Sequence, residues 1–496
     1  MNKTVIALLF LSASVGISAQ NSLEDFRKQS RKEYEDFRRQ VVKEYSDFRD
    51  RANAEYAEFM RRAWEQHKSM PEIPAPKPPD PPIPPVVVPK EEMDKTPEDK
   101  PVPYEEVIPA PVVIEQPKPV APVPEIPKPK ETLFSFRVFG TECKVRLADE
   151  DRFRLTACTE DAIADAWKKL SQPQYNNLIR DCLQLRTRLN LCDWAYLLLL
   201  QKLSSDFLGE NSNESTLLAA FIYGQSGYKM RLARSESGSL FLMVASRHIL
   251  CNIGYYVIDS ENFYPLNCRE KKLFICNNVF PGEQALSLLI GKEQYFTANV
   301  GSKRTLMSEK YPDVTATISS NKNLIDFYST YPQSYINSDA TTKWTFYANT
   351  PLSQSVKETL YPALSKAVQG KSEQDAANIL INFVQTAFKY EYDDVVWGYD
   401  RPFFADETLY YPFSDCEDRA ILFSRLIRDL TGLKVVLLYY PGHLATAVKF
   451  SEMIPGDYLQ VNGQRYLVCD PTYTGANIGM TMTGMDNNRA TVVFLE

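Results

Sequence analysis

The first strong pattern is a stripe of aromatic residues with an 11-residue period. Phe26, Phe37, Phe48 and Phe59 recur at that spacing, and so do Tyr34, Tyr45, Tyr56 and His67. Ser30, Val41, Ala52 and Ala63 fill a third register, so the stripe steps 4, 4, 3. Eleven residues span three turns of helix, which predicts one long amphipathic helix over 20–70. Acidic and basic residues are nearly balanced between the stripes, so the charged face reads as solvated. The apolar seam then predicts self-association through residues 22–68. A membrane-surface role is the other option, but surface-binding helices carry a strongly basic face.

Residues 71–131 break every periodic pattern, with 21 of the 33 prolines falling in 71–130. Such a segment predicts extended polyproline II and no core of its own. At roughly 3.1 Å per residue it reaches on the order of 190 Å, the expectation for a semi-rigid spacer. From about Leu133 the pattern becomes globular. FSFRVF and KVRL alternate as strands, helical stretches cover 160–208 and 213–225, and GSLFLMVAS and GYYVIDS read as strands. This predicts an α+β domain over 132–290. A second α+β domain over 291–496 includes a helix at 373–389.

Composition narrows the function. The chain has 496 residues and a formal charge of −7, which argues against a nucleic-acid partner. Lys3, the apolar run Val5 to Ser12 and the small-residue ending Ile17-Ser18-Ala19 predict a secretory signal over 1–19. The chain is therefore expected to be exported, to the periplasm or the extracellular space, with no transmembrane segment once the signal is removed. Export permits disulfides. The nine cysteines are odd in number, leaving at least one unpaired. Cys143 and Cys158 flank CKVRLADEDRFRLTAC, which suits either a bridged hairpin or two buried thiols. Three histidines and no CxxC pair leave no material for a histidine-rich metal centre or a zinc finger. No phosphate-binding glycine loop occurs in its required context. Neither a cofactor nor a metal is expected.

The chemistry concentrates near the C-terminal end. Ser414 and Glu417 read as a capping box opening the helix CEDRAILFSRLIRDLTG, with a Leu422, Leu426, Leu430 stripe and Gly432 as its stop. Cys416 falls in the first turn, where free amide groups and the positive end of the helix favour a thiolate. VVLLYY and HLATAVKF read as two strands joined at Pro441-Gly442, placing His443 at a strand start. DYLQV and RYLVCD form a hairpin through Asn462-Gly463, and Asp470 closes it. Alternation then directs Cys469 into the core. A thiol, an imidazole and a carboxylate make a working acyl-transfer set.

The run DCEDRAILFSRLIRDLTGLKVVLLYYPGHLATAV…RYLVCDPT resembles the cysteine, histidine and aspartate blocks of the transglutaminase-like superfamily. FVQTAFKYEYD and ADETLYYPFSDC resemble the lead-in found in its bacterial members. The resemblance covers about residues 350–480. It implies a papain-type fold, with Cys416 as nucleophile, His443 as general base and acid, and Asp470 as the residue that orients His443. It implies a peptide or protein substrate, cleaved or transamidated at an amide bond, with hydrolysis favoured. The alternative is a non-catalytic binding module of the same fold on a helix-plus-spacer stalk. Family members often carry glycine before the nucleophile. Here Ser414-Asp415 adds a negative charge. Trp397 is a lesser candidate for oxyanion support, beside the Cys416 backbone N–H.

Residues 190–265 align to the same region, without gaps over the helix, with a one-residue shift to match SLFLMV to HLATAV, and then with YVID matched to YLVCD. Gly227 meets Gly432, and Leu217, Leu218, Phe221 and Ile222 repeat the helix stripe. Asn211, Ser239 and Asp259 then stand where Cys416, His443 and Asp470 stand. This predicts a chemically silent copy.

Overall fold

The computed structural model describes residues 18–76, 81–93, 95–112, 115–126, 131–301, 303–336 and 339–496. Most of the signal expected over 1–19 lies outside the described residues. Helix α1 runs from Ser18 to Met60. Its last turns are bound to the body of the protein. Tyr56, Ala57 and Met60 are buried, and the buried Asn53 accepts hydrogen bonds from Trp167 Nε1 (3.1 Å) and Gln225 Nε2 (3.0 Å). Tyr34, Phe37 and Tyr45 of the same stripe are exposed.

The stripe does not continue to His67 as a helix. Trp64 is buried and donates from Nε1 to the Met60 carbonyl (3.0 Å), closing the helix. Strand β1 (Glu65–Lys68) follows, and His67 lies in it. Edge pairing supplies main-chain hydrogen bonds to this segment, and tertiary structure overrides the helical period.

The proline-rich segment is not a spacer. It straps the body. Strands β2 (Lys100–Pro101) and β3 (Glu106–Ile108) add in parallel to the two edges of the C-terminal sheet. Proline lacks a donor but is tolerated at sheet edges, and the residues between prolines do the bonding. The Ile83 N–H donates to Gly442 O (3.0 Å), Val88 N–H to Thr474 O (2.9 Å) and Thr474 N–H to Val86 O (2.9 Å). Near Lys118 the fit is so close that a Cβ on Gly227 (φ +91°) would lie 1.9 Å from the Lys118 carbonyl oxygen.

Strands β4 (Leu133–Val138) and β5 (Thr141–Arg146) form a hairpin turned at Phe139 and Gly140, both at positive φ. Cys143 pairs across this hairpin with Phe136, so the segment around Cys158 is not its partner strand. No disulfide links Cys143 to Cys158; all nine cysteines are free thiols.

Helices α2 (Glu160–Leu170), α3 (Asn176–Arg188), α4 (Asp193–Leu208) and α5 (Asn213–Gln225) come next. They lead into β6 (Met230–Arg234), β7 (Leu240–Ala245), β8 (Tyr256–Ile258), β9 (Glu261–Pro265) and β10 (Lys272–Cys276). With β1 these form a six-stranded sheet of order β8-β9-β7-β6-β10-β1.

The C-terminal unit places α6 (Lys343–Asn349), α7 (Gln354–Val368), α8 (Glu373–Thr386) and α9 (Cys416–Thr431) before β11 (Lys434–Tyr440), β12 (His443–Lys449), β13 (Asp457–Val461), β14 (Gln464–Cys469) and β15 (Thr491–Phe494). Its seven-stranded sheet has the order β2-β13-β14-β12-β11-β15-β3. Leaving out β2, both sheets follow one path: helix, two central antiparallel strands, a hairpin on one side, a last strand on the other, and an edge strand from the N-terminal segment. VVLLYY is buried on both faces. Helix α9 packs on one side, and Val102, Tyr104 and Val107 of the strap pack on the other. The fold is mixed α+β, and its largest apolar core runs through both units without a break. No helix among the described residues is long and apolar enough to cross a membrane.

Candidate functional site

Helix α9 begins at Cys416, with Asp415 as its N-cap and Gly432 in the left-handed conformation at its end. The capping residues sit one position later than Ser414 and Glu417: Asp418 accepts the Asp415 N–H (3.3 Å). Ser414 accepts instead from the buried Arg419 guanidinium (3.3 Å). This start holds Cys416 against β12.

His443 opens β12 opposite Tyr440. Its Nε2 lies 2.8 Å from Asp470 Oδ2, and each residue is only 2% exposed. Asp470 Oδ1 accepts from Thr472 N (2.9 Å), which fixes the carboxylate. The other ring nitrogen of His443, Nδ1, is buried without a hydrogen-bond partner. Cys416 and His443 line one cavity of about 410 Å³, and Asp470 stands behind His443. His443 and Asp470 are thus joined directly, while Cys416 shares a cavity with His443 and makes its hydrogen bond to Glu417. Trp397 does not join them; it packs on Arg401, Phe403 and Tyr411.

The thiol is not held as a thiolate. Its sulfur is 3.0 Å from Glu417 Oε2, the geometry of an S–H donating to a carboxylate. Burial first, then the charges of Glu417 and Asp415, push the Cys416 thiol well above its ordinary value, with the Leu444 N–H opposing. Magnitudes explain why the helix start loses. A helix N-terminus contributes about 0.3–1 kcal/mol, whereas two unit charges 4 Å apart interact by about 4 kcal/mol at a protein-like dielectric.

Three features of the site have no short-range signal in the sequence. Gln385 of α8 donates to the carbonyls of Tyr473 (2.7 Å), Ala476 (3.1 Å) and Asp470 (3.3 Å), clamping the loop that carries Asp470. Pro81 and Pro82 of the strap form part of the cavity wall. The same cavity is acidic: oxygens of Asp393, Asp400 and Glu417 lie within 4.8 Å of one another, as do those of Asp415 and Glu417 and the sulfur of Cys416.

In the N-terminal unit the first residue of α5 is Asn213, not Asn211. Its side chain donates to Gly238 O (2.9 Å) and accepts from Leu240 N (2.8 Å). Asn211 lies in the preceding turn, and Ser239 immediately before β7. Asp259 occupies the turn between β8 and β9, the place of Asn462 in the other sheet, not of Asp470. The alignment fails at Asp259 because it matches YVID, before the hairpin turn, to YLVCD, after it. His248 is buried among apolar groups, pushed down to about 3, and accepts from Leu288 N (2.9 Å).

Compared with known proteins, the chain matches no family model, no curated protein and no solved structure.

Proposed function

We propose that the C-terminal unit is a thiol acyl-transfer site of the transglutaminase-like kind, in an exported protein acting on amide bonds of peptides or proteins. The observation that carries this reading is one cavity holding a helix-start cysteine and a strand-start histidine whose far nitrogen is bonded to a buried aspartate. The bonded Nε2 leaves Nδ1 free to take the thiol proton. The thiolate then attacks the carbonyl carbon, and the amine leaves with the proton returned by His443. Water resolves the thioester, with His443 as base, giving acid and free thiol. A second amine in place of water gives transamidation.

The test is turnover of a peptide mixture by the full chain beside its Cys416→Ala variant, followed by mass spectrometry. New termini or new cross-links made only by the parent support the reading. Identical digests from both count against it. They favour the second reading, a non-catalytic binding module, which the thiol's carboxylate bond and the proline wall also favour.

A further inference from the structure

We propose that the acidic wall beside Cys416 is a binding site for a primary ammonium group, so that the substrate class is amides with a free amine next to the carbonyl that Cys416 attacks. This rests on the thiol-enzyme reading above for its consequence, but the site itself rests on charge and geometry.

The cations near the cavity are already committed. Lys343 Nζ pairs with Asp400 (2.8 Å), and Arg401 pairs with Glu407 (2.8 Å). Arg419 donates to Gln385 O and Phe388 O (3.2 and 2.9 Å). Asp393 has only the main-chain Arg401 N–H (2.5 Å). Glu417 accepts from the thiol (3.0 Å) and from its own main-chain N–H, with the Lys343 charge nearby but, among the described residues, no lysine or arginine hydrogen-bonded to it. Asp415 is 7% exposed and lines the cavity; its Oδ1 meets no N–H or O–H donor among the described residues, and the neighbouring Glu417 carboxyl adds to burial in pushing it up. Carboxylates this deeply buried are costly unless a cation or a proton joins them; burial pushes Asp393 up to about 8 and raises Asp415 and Glu417 as well, so without a ligand the wall holds protons that an ammonium would replace.

An ammonium suits this wall better than a divalent metal. It brings three donors and needs no fixed coordination shell. A calcium ion takes six to eight oxygens, whereas here Asp400 is held by a lysine and Glu417 by the thiol. The rest of the lining also favours an ammonium: Trp344, Tyr390 and Tyr392 border the cavity, and aromatic faces attract organic cations. The wall adjoins the sulfur through Glu417, so the bound amine belongs beside the attacked carbonyl, as an α-amino group does. Burial first, then Glu417 and Asp415, hold the thiol protonated, and the positive charge would offset those two neighbours. The thiolate then forms when the right substrate is present.

Two measurements on the full chain test this at pH 7. The first compares the rates at which Cys416 is modified by methanethiosulfonates with 2-aminoethyl, methyl and 2-sulfonatoethyl groups, each divided by its rate with a free small thiol. The thiolate displaces methanesulfinate and forms a mixed disulfide, located by peptide mapping. The cationic reagent should exceed the neutral one by about tenfold and the anionic one should fall below it. Glu417→Gln and Asp393→Asn, separately, should shrink the spread. Three equal normalised rates overturn the ammonium site while leaving a reactive thiol in place. A thiol that no reagent modifies in the folded chain instead sinks the thiol-enzyme reading. The second measurement decides the site whatever the thiol does: equilibrium binding of alaninamide against its neutral isostere propionamide. Tighter binding of alaninamide by about tenfold supports the site. Equal binding, or none by either, overturns it.

Discussion

The two sheets follow the same path through space, yet their helix starts are finished differently. In the N-terminal unit Asn213 bonds to both sides of the turn before β7, and its polar atoms are satisfied. In the C-terminal unit, Cys416 at the equivalent place points its hydrogen bond at a neighbouring carboxylate. His443 Nδ1 and Asp415 Oδ1 are buried with no partner at all. Buried polar groups are normally paired, and the N-terminal unit also leaves some unpaired, His248 Nδ1 and the Tyr223 hydroxyl among them; the C-terminal helix start differs in that its cysteine shares a cavity with His443. On the proposed function, the comparison separates what the frame needs, an anchored helix start, from what the proposed reaction would need.

That contrast breaks most visibly by substitution at the two helix starts. Cys416→Ala should lower turnover by three or more orders of magnitude, since a covalent step is lost. Asn213→Ala should leave kcat unchanged and reduce folding stability by about 1–3 kcal/mol, because the Leu240 N–H and Gly238 carbonyl lose their partner. Urea midpoints and single-turnover assays read both. Equal activity losses would erase the distinction between the units.

The aspartates sharpen it next. Asp470→Asn should reduce kcat by about 10²–10⁴-fold with modest change in KM, because the ring loses its orienting acceptor. Asp259→Asn should leave both parameters at parent values; a comparable loss there would place the second aspartate in the reaction.

A smaller effect follows from the carboxylate on the thiol. Glu417→Gln removes the charge that holds Cys416 protonated, so the midpoint of its alkylation by iodoacetamide should move down in pH. A one-unit shift corresponds to about tenfold more thiolate at pH 7. A midpoint that rises instead would mean that Glu417 activates the thiol.

The smallest effect is a pH slope in stability. Burial pushes the Asp406 carboxyl up to about 6, against the hydrogen bonds it accepts from Ser353. The folded chain keeps a proton that the unfolded chain has released. Asp406 therefore contributes most below the ordinary carboxyl range, and that contribution is lost as pH rises through 6. The urea midpoint of the parent, relative to Asp406→Asn, should fall between pH 4 and 7. A difference that grows with pH would reverse the assignment.

Much of the C-terminal sheet was legible in the sequence because its signals are local. Asn462-Gly463 adopts the two positive φ values of a tight hairpin turn, and Gly432 ends α9 as a left-handed cap. VVLLYY and HLATAV are short, mostly apolar runs bounded by turn signals, the first rich in β-branched and aromatic residues, which is the pattern of strands buried on both faces. The strap was not legible. Its pairing uses two- and three-residue strands whose partners lie more than 350 residues away, and proline content alone reads as a spacer. His67 fits the helical period, but edge pairing with β10 decides its state. The acidic cavity draws on α6, the 390–400 loop and the start of α9, and no spacing rule joins these. The helix start that favours a thiolate and the flanking Asp415 and Glu417 charges that oppose it could both be read locally, but the burial that pushes the Cys416 thiol up most strongly could not.

The central claim is that the C-terminal unit alone forms an acyl-enzyme. It is tested most directly by incubating the full chain with peptides bearing free amino termini, quenching in acid, and mapping the adduct by mass. The account predicts a thioester on Cys416, absent in His443→Ala, and no adduct on any cysteine between 143 and 276. An unmodified Cys416, or an adduct that survives His443→Ala undiminished, would contradict it.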